Sequence, residues 1–176
     1  VIEIQNDAGN QFDNYYVEYQ SDSSTDTGVW VETVKPNTTA AQLKNDVNYS
    51  SMPHLLIRTA DGNFRYTPAD GSTYTISTVD YTTPQWGGRV CGDESSAENP
   101  SFIGNKITDV FFHRNRLGFI SGETIFMSRS GEFFELYPET VTANLDTSPI
   151  DIAVSHSKVS LLRSAVPFQE ELLVFS

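Results

Sequence analysis

An all-β fold is predicted for this chain, built of antiparallel meanders of short strands without a βαβ unit. Three observations predict it. Apolar and polar residues alternate over a series of short segments, the spacing of half-buried strands. Clusters of Gly, Pro, Asn, Asp and Ser separate these segments and supply turns. Aromatic residues are abundant, with 11 Phe, 8 Tyr and 2 Trp in 176 residues, and such side chains suit pleated, half-buried surfaces.

The elements follow in order. Tyr15-Tyr-Val-Glu-Tyr19 and Val29-Trp-Val-Glu-Thr-Val34 read as strands. The Ser/Thr/Asp-rich stretch from Gln20 to Gly28 reads as the exposed hairpin connection between them. Pro36 to Ser51 is polar, and Thr38 followed by Ala40-Ala-Gln-Leu-Lys44 allows one short helix. His54-Leu-Leu-Ile-Arg-Thr59 and Asn63-Phe-Arg-Tyr66 flank Ala60-Asp-Gly62. This is a hairpin signal, because Asp and Gly both accept positive φ. From Val79 to Ser101 the chain carries Pro84, Gly87, Gly88, Gly92 and Pro100 with the acidic pair Asp93-Glu94, and is expected to be an irregular surface connection. Ile107 to His113, Leu117 to Ile120 and Thr124 to Met127 are three strands of a meander, with turns at Arg114-Asn-Arg116 and Ser121-Gly122. Ile150–Val154, Val159–Arg163 and Leu172–Phe175 are expected to begin a second, incomplete meander. Consecutive meanders of this size suit a propeller or a multi-sheet β structure. The chain starts without Met and stops within an apolar strand, so it is expected to be a piece of something larger.

Composition bounds the function. The net charge is −12, from 23 acidic and 11 basic residues. Residues 1–100 hold 14 acidic and 5 basic residues, net −9, and residues 101–176 hold 9 and 6, net −3. Such a chain lacks the clustered Lys and Arg that grip phosphate backbones. Its charge serves solubility, and an acidic wall would also let DNA pass without sticking. No stretch approaches the roughly 18 apolar residues needed to span a bilayer, and Val1-Ile-Glu-Ile-Gln5 does not resemble a signal peptide. The single cysteine, Cys91, excludes an internal disulfide framework and has no CxxC partner. It is expected to be a buried small side chain.

No catalytic, cofactor-binding or metal-binding residues are assigned from the sequence. His54, His113 and His156 are far apart and lack zinc-site spacing. Asp22-Ser-Ser-Thr-Asp26 only faintly resembles a calcium loop, because its glycine comes late at Gly28 and Thr33 stands where the closing carboxylate belongs. Glu132 and Glu135 could suggest glycoside hydrolysis, which needs two carboxylates across a sugar cleft, but solvated turn residues explain the pair better. Trp30, Trp86 and the Tyr15-Tyr16 pair could stack on sugars, with a core or interface role the favoured expectation. There is no GxSxG, P-loop or GxGxxG.

The strand-and-turn wording is more specific. Phe102-Ile-Gly104 and Phe112-His-Arg-Asn-Arg-Leu-Gly-Phe119 are followed by Ser128-Arg-Ser-Gly-Glu-Phe-Phe134, Pro149-Ile-Asp-Ile-Ala153 and Leu162-Arg-Ser-Ala-Val-Pro-Phe168. Together with Ser51-Met-Pro-His-Leu-Leu-Ile-Arg58, Trp86, Arg89 and Asn99-Pro-Ser-Phe102, they resemble the tail tubular protein B family, the nozzle proteins of short-tailed, podovirus-type bacteriophages. The resemblance covers residues 50–176 closely and residues 1–49 in outline. It implies a structural virion protein of the tail, not an enzyme, with no cofactor. It further implies a ring of copies, a hexamer at full length, at the distal end of the tail. Its partners would be the adaptor-side tail tubular protein, tail fibres and phage DNA passing without tight binding, with no membrane insertion by this chain. The texture of the chain divides it into a β-rich accessory region over 1–78 and an irregular linker over 79–101, and the resemblance makes residues 102–176 partial β-propeller blades, comprising a first blade and the start of a second. The competing reading is a carbohydrate-binding or carbohydrate-degrading phage tail protein, which requires an aromatic-lined groove with two convergent carboxylates.

Overall fold

The computed structural model describes residues 1–5, 14–24, 27–36, 47–76, 78–155 and 160–176. Among these residues every regular element is a strand, and the sheets are small and antiparallel. The all-β expectation holds. The short helix expected around Thr38 to Lys44 lies outside the described residues.

The first sheet has the order β1-β2-β3, with β1 at Ile2–Ile4, β2 at Tyr15–Asp22 and β3 at Thr27–Thr33. Its register sets Tyr19 opposite Trp30, and their rings are 5.3 Å apart. Cross-strand aromatic contact of this kind fixes the pairing of a hairpin. The base of the sheet is tied to the rest of the chain. Val34 bridges Gly92, the Tyr16 hydroxyl donates to Asp93 Oδ2 at 3.2 Å, and the Val141 amide donates to Glu32 Oε1 at 2.8 Å.

Two hairpins follow, β4 at Leu55–Arg58 with β5 at Phe64–Thr67, and β6 at Thr73–Ile76 with β7 at Val79–Thr82. The first has the expected Asp-Gly turn, in a wider form than a two-residue loop. Only Gly62 adopts positive φ (85°), while Asp61 accepts from Thr59 Oγ1 and from the Asn63 amide. The second hairpin corrects the sequence reading. Val79–Thr82, expected to be irregular, is a strand paired with Thr73–Ile76, and Tyr74 stacks on Tyr81 across it.

The largest sheet has the order β11-β10-β9-β8, with β8 at Ile107–His113, β9 at Arg116–Ser121, β10 at Thr124–Met127 and β11 at Ile150–Ala153. The turn between β8 and β9 is two residues, Arg114 and Asn115, with φ 46° and 59°. Left-handed φ at both positions matches the twist of the flanking strands. A second correction concerns Ile150–Ala153. It does not begin a new meander; it pairs with β10 and completes this four-stranded sheet. The strand expected at Val159–Arg163 is also displaced. Ser160 to Arg163 have no strand structure, and the next pair is β12 at Ser164–Phe168 with β13 at Glu171–Phe175.

Both faces of the four-stranded sheet are covered. On one face Leu117, Phe119 and Phe126 meet Trp86, Phe102, Leu136 and Tyr137, joined by Val47, Met52 and Ala69. Phe102 lies 4.7 Å from the Phe119 ring and 5.0 Å from that of Phe126. On the other face Phe111, Ile120, Ile125 and Met127 pack against Leu162 and Ala165, with Leu172 and Val174 alongside. Period-two alternation along β9 and β10 sends successive side chains to the two cores. Gly118 is required between them. A Cβ there would lie 2.3 Å from the Phe111 ring, a distance that dense interior packing does not absorb without displacement.

Candidate functional site

The chemistry of this chain is concentrated in buried arginines that fasten loops, and the sequence did not single them out. The sequence places Arg116 in a turn. It is the first residue of β9 and is buried. Its Nη1 donates to the carbonyls of Ser148 (2.6 Å), Ser128 (2.7 Å) and Thr147 (3.3 Å), and its Nη2 donates to that of Asp146. Burial pulls its pKa below the usual guanidinium value. A planar, multi-donor cation is the residue type that can gather several carbonyls in one place. Arg116 thereby ties the return loop before β11 to the β9–β10 ladder.

Arg89 is also buried. Its Nε donates to the Ala97 carbonyl at 2.8 Å and its Nη2 to Asn99 Oδ1 at 3.0 Å. The Tyr137 hydroxyl donates to the same Asn99 oxygen at 2.8 Å, and the guanidinium lies 5.2 Å from the Tyr137 ring. This network holds the 89–99 segment against the sheet.

Arg129 decides the fate of the candidate carboxylate pair. It is ion-paired with Glu132 (2.6 Å), with Glu135 (3.7 Å) and with Glu139. Burial raises the Glu135 pKa despite that cation. Glu135 also lies against Gly87, where a Cβ would overlap its carboxylate. Glu132 and Glu135 are thus brought together, but as partners of one arginine, not as acid and nucleophile facing a cleft.

An open groove of about 660 Å³ lies nearby, with Glu98, Ser101, Phe126 and Asp151 in its lining. Glu98 and Asp151 are the carboxylates among its described lining residues. Asp151 is engaged by Ser101, accepting from its amide at 2.7 Å and its hydroxyl at 2.6 Å. The groove's one described aromatic, Phe126, is almost fully buried. The aromatics proposed for sugar stacking are elsewhere. Trp86 is 1% exposed in the core, Tyr16 is buried on Asp93, and Trp30 is 56% exposed on the β2–β3 hairpin.

Among the described residues no group of three or more His, Cys, Asp and Glu is placed to hold a metal ion. The His54 ring stacks on Tyr66 with its Nδ1 2.9 Å from the Met52 carbonyl, and His113 pairs with Arg116 in the ladder. His156 lies outside the described residues, as does Asp26 of the faint calcium loop, while Asp22 accepts from the Ser24 amide at 2.9 Å. No helix of the described residues is long and apolar enough to cross a membrane.

Cys91 is fully buried with its Sγ 3.2 Å from the Pro138 carbonyl, and burial, reinforced by the Glu32 charge, pushes the thiol up to about 12. An aromatic disulfide reagent is therefore expected to leave Cys91 unlabelled at pH 8 and to label it stoichiometrically in denaturant. Tyr16 is likewise raised to about 12, first by burial and then by Asp93. Both groups keep their protons in the folded state where the unfolded chain releases them. Their linkage is neutral below about pH 9 and removes stability as pH rises from about 9 towards 12.

These features are those of a protein whose polar side chains organise structure. A family model described as bacteriophage nozzle protein matches residues 1–176. The chain is similar to the tail tubular protein gp12 of Escherichia phage T7, at 40% identity over 176 residues, which is all of this chain and 19% of that relative. The chain thus spans about a fifth of the relative's length, and by the match along all of its own length it belongs to the bacteriophage nozzle protein family.

Proposed function

We propose that this chain is a structural part of a short bacteriophage tail, contributing partial β-propeller blades to the distal nozzle ring through which genomic DNA leaves the virion. The observation that carries the reading is the match of all 176 residues to the nozzle family. The geometry supports its propeller component. β8 and β12, the first strands of two successive antiparallel units, lie against each other, and the β12–β13 pair stacks on one face of the four-stranded sheet. Neighbouring blades of a propeller meet in this way around a central axis. The Ala165 amide donates to Asp109 Oδ2 at 2.8 Å and fixes that contact.

In this reading residues 102–176 supply a first blade and the start of a second, the stretch between the β6–β7 hairpin and residue 102 connects, and the chain up to and including that hairpin forms an accessory β-rich region. Trp86 and Phe102 seat the connection on the blade. The partners are other copies in a ring, a hexamer at full length, with the adaptor-side tail protein above and tail fibres beside it. DNA passes through without tight binding, as the net charge of −12 favours. The role is structural, not catalytic, in keeping with carboxylates spent on Arg129 and Ser101.

Titration of labelled duplex DNA with the protein at 50 and 200 mM salt tests the conduit. The expected result is no saturation at micromolar protein at either salt. Tight binding that weakens by orders of magnitude between the two would overturn it, since that slope reports phosphate neutralisation.

A further inference from the structure

The β12–β13 pair is joined to the four-stranded sheet without a ladder. Among the described residues its two strands pair with each other and with no other strand. Ala165, Leu172 and Val174 pack on the sheet, with Leu162 just before them, while Val166, Phe168, Leu173 and Phe175 are exposed. Apolar contact is non-directional, so it does not by itself fix where the pair sits. The directional contacts are made by residues 160–165. They run as a strap along the end of the sheet formed by the β9–β10 turn and the start of β8.

Hydrogen bonds hold the strap on both sides. In the β9–β10 turn, Glu123 Oε1 accepts from the Ser160 amide at 2.7 Å and the Gly122 carbonyl accepts from the Leu162 amide at 2.8 Å. On β8, Thr108 Oγ1 donates to the Leu162 carbonyl at 3.2 Å, sharing its proton with the Ile120 carbonyl at 3.3 Å. Asp109 Oδ2 accepts from the Ala165 amide at 2.8 Å. The consecutive residues Thr108 and Asp109 reach the same strap because β8 is bulged between them. Ile107 pairs with Ser121 and Asp109 with Ile120, so Thr108 is an extra residue in the ladder. Ile107 accordingly packs in the core around Trp86, whereas Phe111 packs in the opposite core with Ile120. In a regular strand these two residues would share a face. Bulges at sheet edges re-aim side chains in this way.

We infer that the β8 bulge is a latch. Thr108 and Asp109 hold the strap, and their release lets the β12–β13 pair leave the four-stranded sheet as one unit while that sheet stays folded. The Gly122 and Glu123 contacts at the start of the strap are the pivot. The sheet stays folded because its larger core, with Trp86, Phe102, Leu136 and Tyr137, lies on the face away from the pair. The pair depends on the latch because a lone two-stranded hairpin is marginal without a surface beneath it. Opening of one such unit is distinct from global unfolding. At the tip of the pair Arg114 meets Glu170 at 3.7 Å, but this ion pair is exposed and contributes little. The latch lies within one chain and does not depend on how copies assemble.

The test uses the protein at its natural length and reads amide hydrogen exchange by mass spectrometry over residues 164–176 and over residues 116–127. Thr108→Val combined with Asp109→Ala is expected to speed exchange over 164–176 by roughly tenfold or more, the size that follows from losing a hydrogen bond to a charged acceptor. Exchange over 116–127 is expected to change by less than about twofold. Asp109→Asn keeps an oxygen acceptor for the Ala165 amide and is expected to lose clearly less protection than Asp109→Ala. Unchanged exchange over 164–176 would mean that apolar packing alone seats the pair, and would overturn the latch. Equal acceleration of both segments, or Asp109→Asn as damaging as Asp109→Ala, would overturn it too, because the two residues would then serve only general stability.

Discussion

Replacing Arg116 by alanine is expected to lower the unfolding free energy by about 3–5 kcal/mol, because it strips the one donor group from several main-chain carbonyls at once. The wild-type guanidinium satisfies the carbonyls of Ser128, Asp146, Thr147 and Ser148. Alanine leaves them facing a small cavity, and each unsatisfied buried acceptor costs about 1–3 kcal/mol, less what entering water recovers. A whole domain is stable by about 5–15 kcal/mol, so the change takes a large share of it. Thermal unfolding should show a fall of roughly 10 °C, at about 2–4 °C per kcal/mol for a chain of this size. Arg116→Lys should fall between the two, because an ammonium keeps the charge but cannot span four carbonyls. An Arg116→Ala midpoint within about 2 °C of wild type would show that the 146–148 loop does not depend on this residue.

Trp86→Ala is expected to cost about as much, roughly 3–5 kcal/mol, as large-to-small substitutions of buried aromatics do. Trp86 packs 4.8 Å from the Phe134 ring and 6.1 Å from that of Phe119, and its Nε1 donates to the Pro53 carbonyl at 3.2 Å. Its removal opens the core that joins the 47–86 region to the four-stranded sheet, and it frees the Pro53 acceptor. The two tryptophans provide the measurement. Trp30 is exposed and Trp86 buried, so a Trp30→Phe background leaves an emission that reports the core alone. In that background urea unfolding should red-shift the Trp86 signal in one transition. Trp86→Ala, followed by far-ultraviolet circular dichroism, should move the midpoint to markedly lower urea. An unchanged midpoint would mean that this face of the sheet is dispensable.

The parts of the fold that were legible in the sequence are those set by local pattern. β8, β9 and β10 are short runs rich in aromatic and branched residues, separated by turns of two residues, so their pairing is local. The β2–β3 and β4–β5 hairpins are of the same kind. What escaped is non-local or breaks a local rule. β11 returns to β10 across residues 128–149, and nothing within Ile150–Ala153 says which sheet it joins. β12 contains Pro167, which argues against a strand interior, yet β12 pairs on one side only with β13, where an edge tolerates a missing amide. Val79–Thr82 precedes Pro84 and Gly87 and takes their irregular character when read alone.

The same distinction governs the site. Cys91 was expected to be buried and is. Glu132 and Glu135 were identified as a pair, but their shared partner Arg129 could be recognised only once the 129–139 loop was folded. Arg116 and Arg89 carry no signal of burial in their identity, because arginine is ordinarily a surface residue. Their acceptors are main-chain carbonyls and an asparagine, which have no sequence signature. The family resemblance, carried by the wording around Phe112 to Phe119, was therefore more informative than any candidate chemistry.

Cryo-electron microscopy of virions that carry this protein tests the central claim most directly. The account predicts a closed ring at the distal end of a short tail, with the four-stranded β8–β11 sheet and the stacked β12–β13 pair traceable in each copy around a DNA-wide channel. The same strands found in the capsid shell, or in a fibre with no channel, would contradict it.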